Sequence, residues 1–436
     1  MTVHERNNRH YLLICTVGGT PEQIVASVRY WKPARVLFVP SAETRMTVKT
    51  VAQEPGLLQP GTWDTLELHD AEDFGDCVRR MRGLDEQIGA WQRKGPDYDV
   101  AVDFTGGTKC MSAALSCVSR GWHCEFSYVG GTERTKGGMG VVVSGKERTL
   151  VSWNPWNALG YQAIEDACLL FDQHAFIPAA KGLEDARNAA DDGSVKRSLS
   201  TFRQLCEGYG SWDRFQHEEA IPRIADVLKN ANDLHAVLGS EFSEIIFRSI
   251  RRDQQTLQQL VSQPLSRVKI ADLLANALRR GHEARYDDGV ARLYRAIESL
   301  AQLALAERHG IPSTDNVPLD RVPEPLRDQW ALRVRDGKLQ IGLQDSFALL
   351  GELGDRTGKA FKALRLDDRE RSPLAARNQS ILAHGFGPVG MKIFNQLWRS
   401  AMSLGGFSDS ELPVFPHLAR PDAVAADTSF KLTNSS

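Results

Sequence analysis

Residues 11–20, YLLICTVGGT, and residues 99–108, DVAVDFTGGT, share one design: an apolar run of strand length that ends in two glycines and a threonine. Short apolar runs that end in glycine clusters are typical of buried β-strands. A helical pattern follows each of them, from Pro21 after the first and from Lys109 after the second. This alternation of strand and helix predicts a doubly wound α/β domain with a parallel sheet.

Further runs continue this alternation through the first 155 residues. They are RVLFVP (35–40), TLELH (65–69) and EFSYV (125–129), with VVVSG and RTLVSW (141–153) as an expected closing hairpin. In a sheet of order 3-2-1-4-5 the first and fourth strands are neighbours where the winding reverses. The sequence therefore predicts that both Gly-Gly-Thr turns flank one crevice, which is the usual ligand position in such folds.

Both turns have the features of a phosphate site. Paired glycines let the backbone approach a ligand closely, and a threonine is suited to cap the next helix, whose free N–H groups favour anions. Neither turn has the GxGxxG or the GxxxxGK[ST] pattern, so a dinucleotide enzyme and a P-loop NTPase are not supported. The candidate ligand-binding residues are Gly18, Gly19, Thr20, Ser41, Glu43, Thr105, Gly106, Gly107, Thr108, Lys109, Gly130 and Gly131. For any one of these loops, an ordinary tight turn is the alternative.

A second motif lies near the end of the chain, where residues 377–385 read RNQSILAHG. Arg377 and His384 are seven positions apart, which on a helix leaves them about 20° out of register on the same face. With Asn378 beside the arginine, the pair suits phosphodiester chemistry, in which one group moves a proton and the other holds phosphate charge. By itself the pattern also fits a capping histidine and a solvated arginine.

The composition is that of an ordinary soluble globular protein: 436 residues, 42% hydrophobic, 25% charged and a net charge of -2. This length predicts two or three domains. The apolar runs are far shorter than a membrane span and the first residues have no apolar signal region, so we expect a cytoplasmic protein without a membrane partner. Seven cysteines without a CxxC pair argue against a zinc site or a disulfide framework, and no metal site is predicted.

After Trp153 the alternation gives way to helical periodicity. We predict an α/β domain over 1–155, a helical connector over 156–270, an all-α bundle over 271–405 and a flexible tail over 406–436. From Arg248 to Arg295, ten Lys or Arg stand against five Asp or Glu. That surface, with Tyr286 and Tyr294 for stacking, suits single-stranded RNA, and solvated helix faces are the alternative.

These motifs carry a resemblance to a known family. TVGGTPEQI after the first strand, paired with DFTGGTKCMSAAL after the fourth, resembles the CARF domain of CRISPR-associated proteins, which has a Rossmann-like fold. RNQSILAHG resembles the arginine–histidine signature of HEPN ribonucleases, including the polar residue after the arginine. The order of the two is that of the CARF–HEPN effectors of type III CRISPR systems. The resemblance covers both ends of the chain, and the middle matches only as a helical connector.

The resemblance implies a metal-independent endoribonuclease of single-stranded RNA in type III CRISPR antiviral defence. It implies a homodimer whose activator is a cyclic oligoadenylate bound across two CARF crevices, with the tetra-adenylate favoured, and no cofactor. The RNA 2′-hydroxyl would attack the adjacent phosphorus and leave a 2′,3′-cyclic phosphate. Arg377 would hold the phosphate, His384 would transfer the proton or orient the 2′-hydroxyl, and Asn378 would align the helix against its partner.

Two other classes of function stay open. The chain could be a CARF sensor that recruits a partner and has no RNase activity, in which case the arginine–histidine pair is accidental. It could also be a ring nuclease that degrades its own activator in the crevice, with help from Thr20 and Thr108. Degradation of RNA upon addition of activator separates the first class from the proposal, and chromatography of the cyclic ligand identifies the second.

Overall fold

The computed structural model describes residues 9–133, 135, 142–143, 145–190, 192–368, 372–378 and 385–419. The chain forms two compact units, one of Met1–Glu165 with Leu183–Leu199 and the other of Asp166–Gly182 with Ser200–Ser436. The predicted boundaries at 155, 270 and 405 stay predictions. None of the helices in the described ranges has the length and hydropathy that a membrane crossing requires.

The first unit is built on a six-stranded sheet, counted over the described residues, with the order β3-β2-β1-β4-β5-β6. The first five strands of this order pair in parallel, and β6 pairs antiparallel to β5. The strands are β1 His10–Val17, β2 Arg35–Pro40, β3 Trp63–Thr65, β4 Tyr98–Asp103, β5 Cys124–Gly131 and β6 Glu147–Trp153. The predicted α/β class, parallel sheet and strand order are thus confirmed.

Two details of the predicted sheet differ. The third strand is Trp63–Thr65, because only these residues form the regular ladder with β2. The predicted continuation still runs beside β2, since the amides of Leu66 and Leu68 donate to carbonyl oxygens of that strand's residues at 2.8 and 2.9 Å. Part of the predicted hairpin, including residues 141 and 144, lies outside the described residues, and β6 supplies its second half.

Helices cover both faces of the sheet, as a doubly wound fold requires. On one face Ile24, Val28 and Val51 pack against β1 and β2, and on the other Met81, Met111 and other side chains pack against β1, β4 and β5. Parallel sheets need such cover because their strands are apolar on both sides. The helices are α1 Pro21–Trp31, α2 Arg45–Ala52, α3 Phe74–Met81, α4 Leu84–Lys94, α5 Lys109–Val118 and α6 Pro155–Ala158.

The rest of the described chain is helical, as predicted. It begins with α7 Tyr161–Asp172, α8 Phe176–Ala189, α9 Gly193–Asp213, α10 His217–Lys229, α11 Ala231–Leu238 and α12 Ser240–Ser262. It continues with α13 Arg267–His282, α14 Tyr286–His309, α15 Glu324–Ala331, α16 Leu343–Glu352, α17 Arg356–Ala363, α18 Pro373–Asn378 and α19 Met391–Gly405. One apolar cluster connects α13, α14, α16 and α19, so these helices share a core.

Close approach of three helices in that core depends on two glycines. The ring of Phe394 on α19 lies between Gly281 on α13 and Gly289 on α14, and a Cβ atom at either glycine would lie 2.6 Å from it. No side chain tolerates that distance, so the two positions must be glycine for the ring to fit. Tyr286 packs on the same ring with centroids 5.7 Å apart, and Tyr294 also packs against the core. Neither is a freely exposed aromatic of the kind predicted for RNA stacking.

The expected basic surface is only partly present. Arg279 and Arg280 are buried and paired with the buried carboxylate of Asp213, at 2.8 and 2.5 Å. Arg292 pairs with Asp288, and its Nε donates to the side-chain oxygen of Asn276. The prediction counted charges along the sequence, whereas these arginines face the interior of the unit and neutralise carboxylates there.

The predicted flexible tail is wrong for its first part. Leu412, Phe415 and Leu418 are buried, and the guanidinium carbon of Arg279 lies 4.0 Å from the centroid of the Phe415 ring. The carboxylate of Asp172 accepts hydrogen bonds from the amides of Leu418 and Ala419 at 2.8 and 2.9 Å. Small and polar residues in the sequence suggested fraying, but the few apolar side chains among them are anchored. Residues 420–436 lie outside the described residues.

Candidate functional site

The two Gly-Gly-Thr turns touch at the carboxyl ends of β1 and β4. The hydroxyl of Thr16 donates a hydrogen bond to the carbonyl oxygen of Gly106 at 2.6 Å. A Cβ atom at Gly106 would lie 2.5 Å from the carbonyl oxygen of Thr16, and one at Gly18 would lie 2.7 Å from the amide nitrogen of Gly107. The expectation that both turns flank one crevice is met, because only glycine permits this backbone contact.

The two threonines of these turns have different roles. Thr108 caps α5, since its hydroxyl accepts from the amide of Met111 at 3.2 Å and donates to the carbonyl oxygen of Ala71. Thr20 holds the equivalent position before α1, but its side chain makes no capping hydrogen bond. Lys109 is exposed in the first turn of α5, which contains no acidic residue. The amino end of α5 is therefore the positive side of the crevice.

A buried carboxylate supports the second turn from below. Asp103, at the end of β4, accepts hydrogen bonds from the hydroxyls of Ser27 and Ser127 at 2.8 and 2.7 Å. Its other oxygen accepts from the amide of Thr105 at 2.9 Å. The hydroxyl of Thr105 in turn accepts from the amide of Val129 at 2.7 Å. These bonds hold the start of the second turn against β5, so that Thr105 is a support of the turn.

The loop after β2 carries negative charge to the same edge of the sheet. Ser41 is buried, bridges to Leu68 and donates its amide hydrogen to the hydroxyl oxygen of Thr44 at 2.9 Å. Glu43 is exposed beside it, and the hydrogen bond from the Ser41 side chain lowers the pKa of the Glu43 carboxyl. Glu43 is thus an anion at neutral pH, and a ligand that binds here must offer it a hydrogen-bond donor.

Gly130 and Gly131 do not form the turn that the sequence predicted after the fifth strand. They are the last two residues of β5, where they pair with Arg148 and Glu147 of β6. The antiparallel edge strand extends the ladder past the point at which a parallel strand would have stopped. A Cβ atom at Gly130 would lie 3.4 Å from the ring of Tyr128, so this glycine leaves the side of that ring uncovered.

The second motif lies on α18 and beyond it. The predicted helix start is present, since Pro373 is its first residue and the hydroxyl of Ser372 accepts from the amide of Leu374 at 3.2 Å. Arg377 and Asn378 are the last two residues of this helix, and their description stops at the backbone. His384 lies outside the described residues. The role of this motif therefore stays a prediction.

Comparison with known proteins identifies this region. Residues 258–408, which include the whole Arg377–His384 motif, match the family model described as the Csm6 HEPN domain. Residues 258–408 are a Csm6-like HEPN domain. The expected resemblance to CARF–HEPN effectors is confirmed by this match, which stands beside the Rossmann-like sheet of the first unit.

Other comparisons add little to the Csm6-like HEPN assignment. Among solved structures, Enterococcus italicus Csm6 bound to cyclic hexa-2′-fluoro-hexa-dAMP aligns with 92% of this chain and 95% of that chain, at a TM-score of 0.46 and 10% identity. A search of curated proteins gave no match. Among the residues that the structure describes, no group of three His, Cys, Asp or Glu side chains is placed to hold a metal ion.

Sequence reasoning on this Csm6-like chain missed three residues of the crevice. Thr16 ties the two turns together, Asp103 supports the second turn, and Tyr128 lies partly exposed beside it. Asp103 carried a usable signal, because a carboxylate in an otherwise apolar strand must find partners when buried. Thr16 and Tyr128 look like ordinary strand residues, so their roles depend on contacts that only the folded sheet makes.

Proposed function

We propose that this protein is a cyclic oligoadenylate-activated, metal-independent endoribonuclease of single-stranded RNA that acts in type III CRISPR antiviral defence. The observation that carries the proposal is the match of residues 258–408, with the arginine–histidine motif inside it, to the Csm6 HEPN domain. The crevice of the first unit supports the regulatory half. There, two glycine turns and the amino end of α5 offer backbone N–H groups and Lys109 to a phosphate.

In the proposed reaction the RNA supplies its own nucleophile. The 2′-hydroxyl oxygen bonds to the adjacent phosphorus, its proton passes to a base, and the bond to the 5′-oxygen breaks as that oxygen takes up a proton. His384 is suited to the proton transfer near neutral pH, and Arg377 to the negative charge on the phosphoryl oxygens. Asn378 would align the helix against the same helix of a second copy in a homodimer, which would bring two such pairs to one cleft.

Activation would follow from a difference in affinity. A cyclic oligoadenylate bound at Gly18, Gly19, Gly106, Gly107 and Lys109 of two copies can favour one arrangement of the dimer only if it binds that arrangement more tightly. Its phosphates would meet the glycine turns, and Thr20, whose hydroxyl does not cap α1, is available to donate to them.

The decisive experiment incubates purified protein with labelled RNA and each cyclic oligoadenylate from the tri- to the hexa-adenylate, in EDTA. We expect cleavage with one ring size and products that end in a 2′,3′-cyclic phosphate. The Arg377→Ala/His384→Ala double variant should lose cleavage and keep activator binding, so unchanged cleavage would refute the site. The Lys109→Glu variant should lose activation, and a full response to activator would count against the crevice.

The same samples test the other two classes. Binding of the ring without RNA cleavage would leave a sensor without RNase activity. Chromatographic loss of the ring would indicate a ring nuclease. The structure argues against help from Thr108 in such a step, because its hydroxyl already donates to Ala71 and accepts from Met111.

A further inference from the structure

Two aromatic rings lie side by side next to the second glycine turn. The parallel register pairs Asp103 of β4 with Ser127 of β5, so the following residues, Phe104 and Tyr128, come level with each other. Their rings stack with centroids 6.4 Å apart and planes inclined by 26°. Phe104 directly precedes the second turn, which places this stack at the edge of the candidate crevice.

Tyr128 is accessible although its neighbours are not. It is 38% exposed, whereas Phe126 and Val129 on the same strand are 5% and 0% exposed. Gly130 follows on the same face of the sheet and, having no side chain, leaves the flank of the ring uncovered. A ring that is backed by one aromatic and open to solvent offers a flat surface on which a nucleobase can stack.

We infer that Tyr128, backed by Phe104, is the stacking platform for a purine base of the nucleotide held at the two turns. This inference rests on the proposed function and specifies how the crevice would read bases. Glycine turns and a helix end bind phosphate without regard to the base, so discrimination among bases needs a separate surface. Neighbouring strands are about 5 Å apart, which puts the platform next to the phosphate site.

The competing occupant is another protein surface. Leu150, the cross-strand neighbour of Tyr128 on the edge strand β6, is 47% exposed and would belong to such a contact. An aromatic stack beside a phosphate-binding turn favours the nucleotide, because stacking uses the ring of Tyr128 and has no need of Leu150. Leu150 is therefore the matched control.

The test measures calorimetric affinity for the activating cyclic oligoadenylate and for the uridylate ring of equal size. We use the full chain with Arg377→Ala and His384→Ala, so that no RNA chemistry intervenes. Tyr128→Ala should weaken adenylate binding about tenfold. Tyr128→Phe and Leu150→Ala should stay within about twofold, because both keep the ring surface. The preference for adenylate over uridylate should shrink in Tyr128→Ala alone.

The outcomes separate the inference from the proposed function. If the parent protein binds no cyclic oligoadenylate, the proposed function fails. If the parent binds and Tyr128→Ala binds equally well, the platform is overturned and the proposed function stands. A change of oligomeric state in both Tyr128→Ala and Leu150→Ala, with affinity unchanged, would reveal a protein contact and also overturn it. Should Tyr128→Ala misfold, Tyr128→Leu keeps the bulk and should show the same loss of affinity.

Discussion

Thr16 and Gly106, ninety positions apart in the sequence, are joined by a 2.6 Å hydrogen bond from the threonine hydroxyl to the glycine carbonyl oxygen. The bond connects the end of β1 to the turn after β4, and it spans the point at which the sheet reverses its winding. Two loops that would each be an ordinary turn thus become one rigid surface. The proposed messenger site depends on that union.

The first prediction concerns the fit of the two turns. Gly106→Ala should lower the melting temperature by several degrees and abolish binding of the cyclic oligoadenylate. Its Cβ atom would lie 2.5 Å from the carbonyl oxygen of Thr16, and separating the turns costs about 1–3 kcal/mol. Thermal unfolding and calorimetry measure both effects. Gly19→Ala, where no atom lies within 4 Å of the new Cβ, is the control for stability and should melt like the parent.

The second prediction concerns the buried charge cluster of the second unit. Asp213→Asn should destabilise the protein by about 3–5 kcal/mol, because it leaves Arg279 and Arg280 buried without a counter-charge. Denaturant unfolding measures the loss. The same change at Asp226, whose ion pair with Lys229 is exposed, should have no measurable effect. Equal stability of the two variants would mean that the buried pairing contributes nothing.

The third prediction concerns the packed end of the described chain. Phe415→Ala should cost about 3–5 kcal/mol, since its ring lies 4.8 Å from that of Tyr209 and 4.0 Å from the guanidinium carbon of Arg279. Val414→Ala removes a side chain that is 59% exposed and should leave unfolding unchanged. If both variants unfold like the parent, residues 406–419 are the flexible tail that the sequence suggested.

The fourth prediction concerns pH. Burial, and then the nearby charge of Arg279, lowers the pKa of His174 from its usual 6.5 to about 4. The unfolded chain takes up this proton first, so stability falls as the pH drops from about 6.5 to about 4, by at most about 1.4 kcal/mol per pH unit. His174→Asn suits the positive φ of 60° and removes the titration. Its stability should fall less over this window, and parallel curves would contradict the assignment.

Much of the first unit could be predicted because its signals are local. Apolar runs ending in Gly-Gly-Thr define β1 and β4, and the alternation with helices sets the strand order through the rules of parallel connections. Edges were harder, because β6 extends β5 through Gly131 by antiparallel pairing that no local pattern indicates. Charge was misread for a related reason, since Arg279 looks the same in sequence whether it faces solvent or Asp213.

The sequence by itself determined the α/β and all-α halves, the two glycine turns and the arginine–histidine motif, because periodicity and turn chemistry act within a few residues of the chain. Only the tertiary structure decided that Thr16 bonds to Gly106, that Tyr128 stacks on Phe104 beside the turn, and that Phe415 is buried. Each of these contacts joins residues far apart in the chain. Their geometry comes from strand register and helix packing, which depend on the whole unit at once.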